Sequence, residues 1–74
     1  MIVQLESTTK IVHLNGVPAR IWEGITDSGI HIHAYITRIA VNKDEPRVEE
    51  FEEELLHCKT PTKEIEAISL RLIL

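Results

Sequence analysis

Lys10-Ile11-Val12-His13-Leu14-Asn15-Gly16-Val17-Pro18-Ala19-Arg20-Ile21-Trp22 decides the fold. Two runs rich in β-branched and apolar residues flank Asn15-Gly16, the dipeptide best suited to a type I′ turn, where both central residues need positive φ. The first strand is expected over residues 10–14 and the second over 17–25. Pro18, which lacks an N–H, sits near the start of the second strand, where that loss is tolerated. Thr26-Asp27-Ser28-Gly29 is a second turn cluster. A third strand is expected over residues 30–41, the longest and the richest in β-branched residues. Three strands joined by two tight turns make an antiparallel meander.

Downstream, Asp44-Glu45-Pro46 marks a helix start, with a carboxylate available to the free N–H groups and proline in the first turn. Val48, Phe51, Leu55 and Cys58 recur at i, i+3, i+7 and i+10 and form one narrow apolar stripe, with Leu56 at its margin. Thr60-Pro61 stops the helix. The run Ile68-Ser69-Leu70-Arg71-Leu72-Ile73-Leu74 alternates as a fourth strand. The expected architecture is a single α+β domain over residues 1–74, in the order βββαβ, with the helix on one face of the sheet.

The chain has 74 residues, 12 acidic and 8 basic, for a net charge of −4, and is 43% hydrophobic. That hydrophobic content excludes an extended disordered chain. A domain this small buries only about 60% of its unfolded surface and usually needs added support. Cys58 is the one cysteine and cannot form an internal disulfide, which leaves metal or self-association. No stretch approaches the roughly 18 continuous apolar residues of a membrane span, and no basic-then-apolar leader pattern opens the chain; the expected location is the cytoplasm. Residues 44–58 contain seven acidic residues against Arg47 alone, about −6, leaving the remainder near +2. The acidity is thus local, and a mildly basic working surface elsewhere is compatible with it.

Period-two alternation sorts the strand residues by face. A two-residue first loop pairs Leu14 with Val17, Val12 with Ala19 and Lys10 with Ile21. A four-residue second loop pairs Ile25 with Ile30, Ile21 with Ala34 and Ala19 with Ile36. These registers gather Val12, Leu14, Val17, Ala19, Ile21, Ile30, Ile32, Ala34 and Ile36 on one face, under the helix through Val48, Phe51 and Leu55. They place Arg20, Trp22, His31, His33 and Tyr35 on the other, which a single helix leaves uncovered. A one-residue change in the second loop scrambles this assignment.

That second face is the candidate site. Arginine forks onto phosphate or carboxylate, and aromatic rings stack on a flat ligand; aromatics and arginine also fill interface cores. Arg20, Trp22, His33, Tyr35, Arg38 and His31 are therefore the expected ligand-binding or interface residues. His31-x-His33 puts two imidazoles on one strand face, but His13 lies two strands away, roughly 10 Å, so no metal or cofactor is expected. His57 and Cys58 are helix neighbours pointing apart and make no nucleophile–base pair. No phosphate loop, nucleophile elbow or paired-cysteine zinc spacing occurs. The expectation is a homo-oligomeric binding protein that self-associates through this face, not an enzyme.

Residues 12–24, the run Ile36-Thr37-Arg38-Ile39-Ala40-Val41, Phe51-Glu52-Glu53-Glu54-Leu55 and the C-terminal Leu70-Arg71-Leu72-Ile73-Leu74 resemble short proteins of bacteriophage, prophage and plasmid origin. The resemblance implies a compact accessory protein that acts by binding. It is either an oligomer that sequesters a small phosphorylated or nucleotide-like ligand, at the sheet face or a subunit seam, or an acidic inhibitor of a host protein. Sheet-face DNA binding through Arg20, Trp22 and Arg38 is a further alternative, opposed by the scarcity of basic residues and the acidic helix.

Overall fold

Asn15 and Gly16 adopt φ of 51° and 82°, as a type I′ turn requires, and join β1 (Val3–Leu14) to β2 (Val17–Thr26). With β3 (His31–Ile36) they form one antiparallel sheet in the order β1-β2-β3. The computed structural model describes residues 1–66. After the sheet come α1 (Val48–Leu55) and the single turn α2 (Lys63–Glu66), so the architecture is α+β. The strand expected at residues 68–74 lies outside the described residues, and with it the last element of the expected order. No helix among the described residues is long and apolar enough to cross a membrane.

The longest strand is β1, not β3. It reaches back to Val3, and Ser7-Thr8-Thr9 hides its continuity because the strand bulges there. Ser7 pairs with Trp22 and Ile11 with Arg20, so Thr8, Thr9 and Lys10 together oppose Ile21. Lys10 therefore does not pair with Ile21 as the unbroken register requires. The bulge opens the ladder, and the fully buried Thr8 repairs it: its Oγ1 donates to the Ile21 carbonyl at 2.7 Å and accepts from Lys10 N–H at 3.3 Å.

β3 stops at Ile36, short of the expected Val41. Thr26 N–H donates to the Ile30 carbonyl, which makes the even-numbered residues of β2 the donors toward β3. Next in that series after Arg20 is Pro18, which has no N–H, and the ladder ends.

The second loop contains three residues, Asp27-Ser28-Gly29, and not four. Gly29 N–H donates to the Thr26 carbonyl at 3.0 Å and Gly29 takes a φ of 93°, the left-handed position of a three-residue hairpin loop. Thr26 Oγ1 also accepts from Ile30 N–H at 3.0 Å. One residue fewer moves the whole register. Ile25 pairs with His31, Ile21 with Tyr35, Trp22 with Ala34 and Arg20 with Ile36. Every β3 side chain consequently lies on the face opposite to the one expected.

The core forms from Val12, Ala19 and Ile21, with Leu14 and Tyr35 packed around them. Its lid is Ile65 of α2, 4% exposed, and not α1, which buries none of its residues. The helix expected to cover this face through Val48, Phe51 and Leu55 ends at Leu55, before Cys58. Between the helices the chain crosses the outer edge of β1, where Lys59 N–H donates to the Ser7 carbonyl and Thr9 N–H to the Lys59 carbonyl, both at 3.0 Å.

Candidate binding cleft

Arg20 and Trp22 stand two apart on β2 and share the face away from the core. Trp22 is flanked across the sheet by two small residues, Ser7 on β1 and Ala34 on β3, which leaves space beside the indole. Just past the end of β3, Thr37, Arg38 and Ile39 run along the same side. Together with Ile11, Ile36 and Leu55 of α1 they enclose a cleft of about 250 Å³. Among the described residues its lining includes two arginines and no carboxylate, in a chain of net charge −4. Trp22 and Leu55 also separate it from an open cavity of about 760 Å³ that continues past Phe51, His57 and Cys58.

Arg20 is anchored: its Nη1 donates to the Thr8 carbonyl at 2.8 Å, so the bulge in β1 supplies an acceptor that orients the guanidinium. Arg38 is exposed. Arginine side chains can fork onto an anion and an indole can stack on a flat ring.

The register separates the candidate residues into two groups. Arg20, Trp22 and Arg38 line one cleft, whereas His31, His33 and Tyr35 lie on the core face. His33 meets Tyr35 edge-on, 5.4 Å between ring centroids at 78°. His31 and His33 line an open groove of about 800 Å³ with Glu23, Lys59, Thr62 and Ile65. His13, paired with Pro18, is on the opposite face from both. Among the described residues no group of three or more His, Cys, Asp and Glu side chains converges on a metal position.

Glu23 is the centre of a small polar cluster that its neighbours in sequence do not reveal. Its side chain is 12% exposed, Lys59 Nζ lies 3.0 Å from Oε2, and Thr62 Oγ1 donates to Oε1. Burial pushes the Glu23 carboxyl up, but hydrogen bonds from Thr62 and Lys59 and the Lys59 charge outweigh it, holding the group below the usual carboxylate value. Both partners come from the segment after α1, more than 30 residues away, and no local pattern announces that pairing. Cys58 is half-buried beyond α1, with its Sγ 3.5 Å from Ser7 Oγ; Ser7 Oγ also donates to the His57 carbonyl at 3.1 Å.

Compared with known proteins, the chain matches no protein-family model, no curated protein and no solved structure.

Proposed function

We propose that this protein is a non-enzymatic binding module whose Arg20–Trp22–Arg38 cleft takes a small anionic ligand bearing a flat ring, of mononucleotide type. The observation that carries the reading is that two arginines and the indole line one cleft whose described lining contains no carboxylate. Anion and ring are each matched by a feature of the wall. At about 250 Å³ the cleft lies just below the roughly 300–1,000 Å³ of sites for drug-sized molecules, so it suits a single mononucleotide and not an oligonucleotide. Among the described residues the lining holds no His, Asp, Glu or Cys to serve as a general base for its Ser7 and Thr37 hydroxyls, which favours binding over catalysis. The cellular role proposed for such a binder is sequestering a small phosphorylated signal.

The test is thermal unfolding of the full chain with inorganic phosphate, nucleosides and nucleoside monophosphates. A ligand at one hundred times its Kd stabilises the folded state by about 2.7 kcal/mol. Monophosphates should raise the melting temperature more than phosphate or nucleoside alone. Equal, negligible shifts for all three would overturn the reading.

A second reading, a docking surface for a basic protein partner, draws on α1, where Glu49, Glu52, Glu53 and Glu54 are exposed and form no ion pair among the described residues. It is separated by the same experiment, since such a partner site ignores nucleotides.

A further inference from the structure

The outer edge of β3 has no strand beside it among the described residues. The Thr26–Ile30 hydrogen bond sets the alternation of the ladder, so Ile32, Ala34 and Ile36 direct their backbone groups to β2. His31, His33 and Tyr35 direct theirs outward. Sheet edges of this kind accept another strand unless a proline, a bulge, a charged side chain or a covering segment blunts them. The opposite edge is protected in two of these ways, by the bulge at Thr8–Lys10 and by the Lys59 crossing. β3, His-Ile-His-Ala-Tyr-Ile, has a regular register and contains no proline, lysine or carboxylate.

We infer that β3 pairs with β3 of a second copy of this chain, antiparallel about a two-fold axis at His33, to give a continuous six-stranded sheet. The strand is self-complementary in that register. His33 faces His33 of the partner subunit, and His31 faces Tyr35 of the partner subunit, so all three outward backbone pairs are used. On the other side of the sheet Ile32 faces Ala34 of the partner subunit and Ile30 faces Ile36 of the partner subunit. Every pair there is apolar, and Ile30, 61% exposed in the single chain, gains a neighbour. Moving the axis to Ile32 sets Tyr35 against a turn glycine. With the axis at Ala34, Ile30 would meet an arginine. Only the His33 axis matches both the hydrogen-bonding groups and the side chains. Paired β-branched and aromatic residues are the favourable cross-strand combinations, and the added sheet supplies the support a domain of this size needs. The inference does not rest on the ligand cleft, although Ile36 belongs to both surfaces.

Sedimentation analysis of the full chain over a range of concentrations tests it, with far-UV circular dichroism verifying the fold of each variant. The wild type should sediment at twice the 8.5 kDa chain mass. His33→Pro removes an N–H that β2 does not use and should raise the dimer dissociation constant roughly tenfold or more. His33→Lys and His33→Glu should each dissociate, and an equimolar mixture of the two should recover a heterodimer. A monomeric wild type, or a dimer indifferent to these substitutions, overturns the inference.

Discussion

Arg20 donates from Nη1 to the carbonyl of Thr8 across 2.8 Å, fastening a guanidinium of the cleft to the bulge in the neighbouring strand. The same contact serves stability and recognition. The bulge leaves a carbonyl without its ladder partner, and an unpaired buried carbonyl costs about 1–3 kcal/mol. Arg20 supplies the missing donor and is held in place by doing so. Arg38, beyond the end of β3, has no comparable anchor in the described structure.

The two arginines should therefore separate when each is replaced by methionine. Arg20→Met is expected to lower unfolding free energy by about 1–2 kcal/mol and to abolish stabilisation by adenosine monophosphate. Arg38→Met should leave stability within about 0.5 kcal/mol of the parent while also abolishing that stabilisation. Urea unfolding with and without the nucleotide measures both quantities.

Thr8→Val keeps the shape of the side chain and removes its hydroxyl. The Ile21 carbonyl and Lys10 N–H both lose Thr8 Oγ1, so the expected destabilisation is about 1–3 kcal/mol. Thr9→Val, one residue on and exposed, should fall within about 0.5 kcal/mol of the parent. Comparable effects at the two positions would contradict the account of the bulge.

Gly24 and Gly29 are required for different reasons. A Cβ at Gly24 would lie 1.8 Å from the Gln4 carbonyl oxygen, a backbone atom, so Gly24→Ala must force β1 and β2 apart; a loss of roughly 3 kcal/mol or more is expected. At Gly29 there is open space but φ is 93°, and Gly29→Ala should cost about 1–2 kcal/mol through backbone strain alone. Equilibrium unfolding of both variants distinguishes a steric clash from strain.

The type I′ turn was legible because Asn15-Gly16 states its backbone geometry locally, and with it the pairing of Leu14 with Val17 and Val12 with Ala19. The second hairpin was not, since Thr26-Asp27-Ser28-Gly29 contains good turn residues for a three- or a four-residue loop. Only the three-dimensional placement of Gly29 chooses between them. That single choice moved His33 and Tyr35 away from Trp22. It left Arg20 and Trp22 together, because residues two apart on one strand share a face whatever the register. Arg38 joins them for a reason also written in the chain: Pro18 ends the ladder and lets the backbone turn along the cleft. The covering of the core was illegible for another reason. An eight-residue amphipathic helix offered a stronger pattern than the single buried Ile65 that does the work.

Acid should weaken the fold through Glu23. Its carboxyl is held below the usual carboxylate range by Thr62 and Lys59 against the opposing effect of burial. A carboxyl depressed in the folded state contributes stability that is complete above its unfolded value and is lost as pH falls through the folded one. The stability difference between wild type and Glu23→Gln should hence be constant near neutrality and shrink progressively below about pH 4.5. Chemical denaturation from pH 7 to pH 3 tests the sign, and a difference that grows on acidification would contradict it.

The central claim is the ligand cleft, and Trp22, the only tryptophan of the chain, lies in its wall. Titration of intrinsic fluorescence with adenosine monophosphate reports directly on that indole. The account predicts saturable quenching by the monophosphate, weaker quenching by adenosine, and loss of the saturable phase in Arg38→Met. The absence of saturation at millimolar nucleotide, or quenching unchanged in Arg38→Met, would contradict it.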